Sequence, residues 1–285
     1  MTRDSRAVAV AGAVVALAIG AGFFLHRAPA PAGPAGAPPA AAVPVPVPVA
    51  PPALVSPPPA PPPRIQHPIA TPHDGTTLPF LADSDGYAKN ALTKLLGRKS
   101  VPTFLGLDGF VRNFVGTVDN LAGRWAPSMV WPVKTTPRRF MTEGTGAGTT
   151  VAAQNAARYA PFVQLARSVD CNRAVALYVR MYPLFQQAWH ELGPPGTYFN
   201  DRVVAVIDHL LATPDVSGPI KVRRVEVQGR SRDGDLYVFD DPALEARSAG
   251  QKILLRMGKQ NADALKAKLA EVRARIARGR GPGRP

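Results

Sequence analysis

Between Ala28 and Pro63 the chain runs thirty-six residues without a charged or aromatic side chain, and sixteen of them are proline. A segment of that composition cannot build a hydrophobic core or a hydrogen-bonded ladder, because proline fixes φ and carries no N–H. The valine–proline alternation from Val43 to Val49 favours a polyproline II course. At ~3.1 Å per residue, such a stretch reaches on the order of 110 Å when fully extended. Directly before it, Ala7 to Leu25 is a run of nineteen residues with no charged or polar side chain. As a helix that run is about 28 Å long, close to the ~30 Å of a bilayer's hydrocarbon core. The two segments read together as a single membrane span (7–25) followed by a stiff, disordered Pro/Ala-rich linker (26–77).

Arg3 and Arg6 precede the span, so the positive-inside rule places residues 1–6 in the cytoplasm and the rest outside it. The competing reading is a cleaved signal peptide. Such peptides have shorter apolar cores, and the small residues Ala28, Ala30 and Ala32 alternate here with Pro29 and Pro31, which hinder cleavage. Gly12, Ala16 and Gly20 form a row of small residues through which two such helices could pair as a homodimer.

Formal charge is +14, and only Arg3, Arg6, Arg27 and Arg64 of the cations fall in the first 78 residues. Lys266, Lys268, Arg273, Arg275, Arg278, Arg280 and Arg284 crowd the other end against Glu271 alone. This basic C-terminal region suits an acidic wall polymer or anionic lipid; outside the cytoplasm, nucleic acid is the least expected partner. Cys171 is the sole cysteine, so an intrachain disulfide is excluded.

Residues 78–278 carry the globular pattern, mainly α with a minor β-hairpin, and residues 279–285 read as a disordered basic tail. Ser84 and Asp85 cap a helix with Tyr87, Ala91, Leu92, Leu95 and Leu96 on its stripe, stopped at Gly97. Leu107 to Leu121 is a second helix, and Trp125 to Gly148 is extended and ends in a flexible glycine loop. Asn155 is placed as the cap of a short helix to Ala166, and Asp170 to Leu192 as a long helix kinked at Pro183. Asn200 to Ala212 is the clearest helix, with Val203, Val206, Ile207, Leu210 and Leu211 at i, i+3, i+4, i+7 and i+8. Lys221–Val227 and Asp235–Phe239 alternate as a hairpin. One helix is expected from Pro242 to Met257, and Asn261 is read as the cap of a last helix reaching Ala277. That helix's stripe of Leu265, Leu269, Val272 and Ile276 could dock on the domain, meet a partner helix or lie on anionic membrane.

Six stretches in this order carry a resemblance: LPFLADSD (78–85), FVGTVDNL (114–121), RYAPF (158–162), YPLFQ (182–186), YFNDRVVAVIDHLLATP (198–214) and GQKILLRMG (250–258). Over Leu78 to Ala270 the chain resembles the bacterial family catalogued as domain of unknown function (DUF) 3014. The resemblance implies a bacterial, membrane-anchored envelope protein. It supplies no activity, cofactor or assigned site residue.

The densest polar group is Tyr198, Asn200, Asp201, Arg202, Asp208 and His209. Two carboxylates and an imidazole on one helix could do acid–base work or hold a metal. The plainer alternative has Asn200 capping the helix, Asp201 complementing its dipole and the others docking it. His190 and Glu191 could join His209, but no metal-binding spacing is present, and no metal or other cofactor is expected. Gly144 to Thr149 lacks the Lys-Ser/Thr ending of a phosphate loop, and no nucleophile elbow occurs. The expectation is therefore a non-enzymatic binding or scaffolding module, anchored in a bacterial inner membrane and held in the periplasm by its spacer. The rival is a periplasmic hydrolase-like enzyme with its site around Asp201, Asp208 and His209.

Overall fold

A computed structural model of the chain describes residues 64–71, 77–225 and 236–278. The span at 7–25, nearly all of the linker and the tail at 279–285 lie outside the described residues, as does the tip of the hairpin. Among the described residues no helix is long and apolar enough to cross a membrane.

The fold is mainly helical with two small antiparallel ribbons. In chain order it comprises α1 (Ser84–Leu96), α2 (Ser100–Phe104), α3 (Phe110–Leu121), β1 (Thr142–Glu143), β2 (Thr150–Val151), α4 (Ala160–Arg167), α5 (Cys171–Leu192) and α6 (Phe199–Leu211). These are followed by β3 (Val222–Val225), β4 (Leu236–Phe239), α7 (Pro242–Glu245), α8 (Ala249–Arg256) and α9 (Lys259–Ile276).

α5 is the hub. Its apolar positions recur on more than one face, and it packs against α1, α3, α6 and α9. Phe114 of α3, Tyr178, Phe185 and Trp189 of α5, and Phe199 of α6 interlock, with the Phe114 and Phe185 centroids 4.8 Å apart. Such offset ring pairs add about 0.5–1.5 kcal/mol each beyond the area they bury. Pro183 sits within α5 without ending it. A second, smaller cluster of Val222, Phe239, Leu244 and Leu255 seats the β3–β4 hairpin. There the buried Arg256 guanidinium lies 4.7 Å from the Phe239 ring and donates to the Tyr237 carbonyl.

The expected hairpin is present, with Val222 opposite Phe239 and Val225 opposite Leu236. Several caps differ from expectation. The Asp85 carboxylate accepts the N–H groups of Gly109 (2.7 Å) and Phe110 (3.0 Å), so it serves the start of α3 instead of its own helix. Asn155 lies inside a 3-10 turn, fully buried, where its amide joins Met141, Arg158 and the Arg256 carbonyl. Asn261 donates to the Ala156 and Met257 carbonyls, and Gly258 takes the cap position of α9. The single helix expected from Pro242 to Met257 is two, because Ser248 turns extended and caps α8 by accepting from Gln251 N. The glycine loop at 144–148 closes the β1–β2 ribbon, and α2 had no periodic signal in its five residues.

α9 docks on the domain. Leu265, Leu269, Val272 and Ile276 are all buried, and the helix packs on α4, α5 and α6. It runs antiparallel to α6, since Lys266 donates to Thr213 O, Arg273 to Asp208, and Ile276 O accepts from Asn200.

Candidate functional site

The six polar residues singled out around α6 do not converge on one site: Tyr198, Asn200 and Asp201 hold one segment, and Arg202, Asp208 and His209 turn to others. Residues 64–71, expected to be part of the linker, lie against the domain as a strap. Ile69 packs on the main core. Asp201, in the first turn of α6, accepts the backbone N–H of Gln66 (3.0 Å) and of His67 (2.6 Å). The Tyr198 hydroxyl accepts from Ile69 N at 2.8 Å.

Asn200 ties these pieces to the interior. It is fully buried and sits within the helix, with Tyr198 at the cap position, which corrects its expected role as cap. Its Nδ2 donates to His67 O (2.8 Å) and Ile276 O (3.2 Å), and its Oδ1 accepts from the Tyr178 hydroxyl (3.1 Å). Its backbone N–H donates to the Tyr182 hydroxyl, which in turn donates to Gln186 Oε1. Burial pushes the Tyr178 and Tyr182 hydroxyls above the ordinary tyrosine range, so both remain donors. A His67 ring nitrogen lies 3.1 Å from Ala277 O, so the strap also meets the end of α9.

The other candidates point elsewhere. Arg202 pairs with Asp119 of α3 at 2.7 Å, and Asp208 forms a two-pronged ion pair with Arg273 of α9. The His209 ring buries its Nε2 without a hydrogen-bond partner, while its backbone carbonyl accepts from Gln251. Asp201 and Asp208, seven residues apart on α6, thus face a strap and an arginine. His190 meets Gln186, and Glu191 pairs with Arg112 of α3, so neither joins His209. Among the described residues no three His, Cys, Asp or Glu side chains group closely enough to hold a metal ion.

The partners on α5 and in the strap escaped the sequence reading. Tyr178, Tyr182 and Gln186 recur at i, i+4 and i+8, a polar-tipped row on an otherwise apolar helix, which is a readable signal. Ile65 to Ile69 breaks the Pro/Ala composition and brings back backbone donors and branched apolar side chains.

A family model described as "Protein of unknown function (DUF3014)" matches residues 110–273. No curated protein and no solved structure matches the chain. The chain belongs to the DUF3014 family.

Proposed function

We propose that this member of the DUF3014 family is a non-catalytic binding or scaffolding module, gripping the end of its own tether. On this reading Ala7–Leu25 anchors it in a bacterial inner membrane and the proline-rich stretch carries it into the periplasm. The observation that carries the proposal is the seating of residues 66–69 on Tyr198, Asn200 and Asp201. A tether that ends in a docked strap transmits a fixed orientation to the domain, which suits presentation of a surface. The groups an acid–base site would need are taken up by the strap and by Arg273.

Two experiments test this. Replacing Asp201, Asp208 and His209 by alanine lowers the unfolding midpoint before any cellular function is lost; loss of function at an unchanged midpoint would point to an enzyme. A phosphatase fused after Pro285 is active on the outer side of the membrane, and an inactive fusion beside an active cytoplasmic reporter would overturn the localisation.

A further inference from the structure

The cations of α9 expected to meet an anionic partner are already engaged: Lys266 with Thr213 O, Lys268 with Val169 O, Arg273 with Asp208 and Arg275 with Asn172. A different surface is richer in charge. Three segments distant in sequence are stitched together there. Gly106 N donates to Pro132 O, Lys134 N donates to Phe104 O (2.8 Å), and the Lys134 ammonium reaches Pro102 O (2.6 Å). Phe104 and Phe162 meet edge to face, joining α2 to α4. Arg158 donates to the Pro137 and Arg138 carbonyls, fastening segment 131–139 to the turn before α4.

These contacts bring Lys134, Arg138 and Arg158 together, with Lys134 and Arg158 themselves engaged on backbone carbonyls. The same and neighbouring stretches also carry Lys94, Arg98, Lys99, Arg139 and Arg167, and stretches 94–107, 131–142 and 144–169 contain no carboxylate at all. All but the half-buried Arg158 are exposed. The bordering acids along the chain are Asp85, Asp108, Asp119, Glu143 and Asp170. Large exposed apolar side chains among the described residues are Ile65, Phe80, Trp125, Met129 and Leu192, none of which belongs to these stretches.

We infer that this face binds a linear polyanion, a polymer bearing repeated phosphate or carboxylate groups. The inference deepens the binding-module reading and rests on it. The cations are spread along three segments and do not converge on one buried pocket, so one small anion would engage only a fraction of them. The lack of large exposed apolar side chains within these stretches disfavours insertion into a bilayer, which needs an apolar contribution. The rings here, Phe104, Trp131, Phe140, Tyr159 and Phe162, are buried or partly buried, leaving no platform on which bases could stack. Arginine predominates, and its planar fork suits oxyanions.

The test uses the full chain in detergent with long-chain polyphosphate as probe, at low salt and again at moderate salt. Arg98→Gln/Lys99→Gln/Arg138→Gln weakens polyphosphate binding at least ~tenfold and flattens its salt dependence. Lys89→Gln/Arg124→Gln/Arg223→Gln removes the same charge from exposed positions elsewhere and stays within about twofold of the unaltered chain. An acidic polysaccharide competes for the same face. Arg98→Gln/Lys99→Gln alone, both at exposed turn positions, gives a smaller loss in the same direction if the triple variant folds poorly. Equal weakening by both triples would reduce the effect to net charge and overturn the site. Tighter binding to phosphatidylglycerol vesicles or single-stranded DNA, lost in the face variant, would overturn the assignment of the ligand. Neither result depends on the phosphatase fusion, so failure here is distinguishable from failure of the anchoring.

Discussion

Asn200 connects three parts of the molecule through one amide: the strap at His67, the hub helix at Tyr178 and the last helix at Ile276. Asn200→Ala leaves the Tyr178 hydroxyl and two carbonyls without this partner. At about 1–3 kcal/mol for an orphaned buried group, the variant should lose roughly 2–4 kcal/mol in denaturant unfolding. Its place at a helix start made capping the natural expectation for Asn200, because the residues it bonds lie 22, 76 and 133 positions away. Only the fold brings them together. Cys171 gives a prediction with a definite pH. Burial, aided by Glu271, pushes its thiol up to about 11, so at pH 8 the thiolate is on the order of one molecule in a thousand. Alkylation by iodoacetamide should be slow in the folded chain at pH 8, fast in urea, and should rise only as the pH nears that value. Rapid native labelling would place the thiol at the surface.

Among the elements, helices with long apolar stripes were legible from spacing alone: α1, α3, α5, α6 and α9 all form where their periodicity puts them. The helices misjudged were short or interrupted. α2 spans five residues, and the break at Ser248 depends on a cap bond that competes with a continuous helix. α8 carries a sharper constraint at Gly250. A Cβ there would stand 2.5 Å from a Leu210 methyl of α6 and 3.0 Å from the Leu121 carbonyl of α3. Alanine is favoured over glycine in a helix by about 1 kcal/mol, yet overpacking a close helix contact costs about 1–3 kcal/mol. Gly250→Ala should therefore destabilise the domain in thermal unfolding, and a gain in stability would show that α8 can move aside.

At the scale of the whole molecule, the described residues bring the strap and the end of α9 together. The spacer and the basic C-terminal residues are opposite extremes of the sequence, yet the strap meets Ala277 directly. The stretches without a carboxylate are those of α2, segment 131–139 and α4. The expected start of the globular part at Leu78 omits a stretch that contributes hydrogen bonds and apolar burial, since Ile69 packs on the core. A chain begun at Leu78 should unfold at lower denaturant than one begun at Arg64, by about 1–3 kcal/mol, because the strap's hydrogen bonds and the burial of Ile69 go with it. Composition could announce the spacer but not its end, because five ordinary residues after a proline tract carry no periodicity. The most direct measurement is amide hydrogen exchange at Gln66, His67 and Ile69 in the full chain. A docked strap predicts protected amides, with protection of Gln66 and His67 lost in Asp201→Ala and of Ile69 in Tyr198→Phe, while α9 remains protected. Exchange of all three at the rate of an unstructured peptide in the unaltered chain would contradict it.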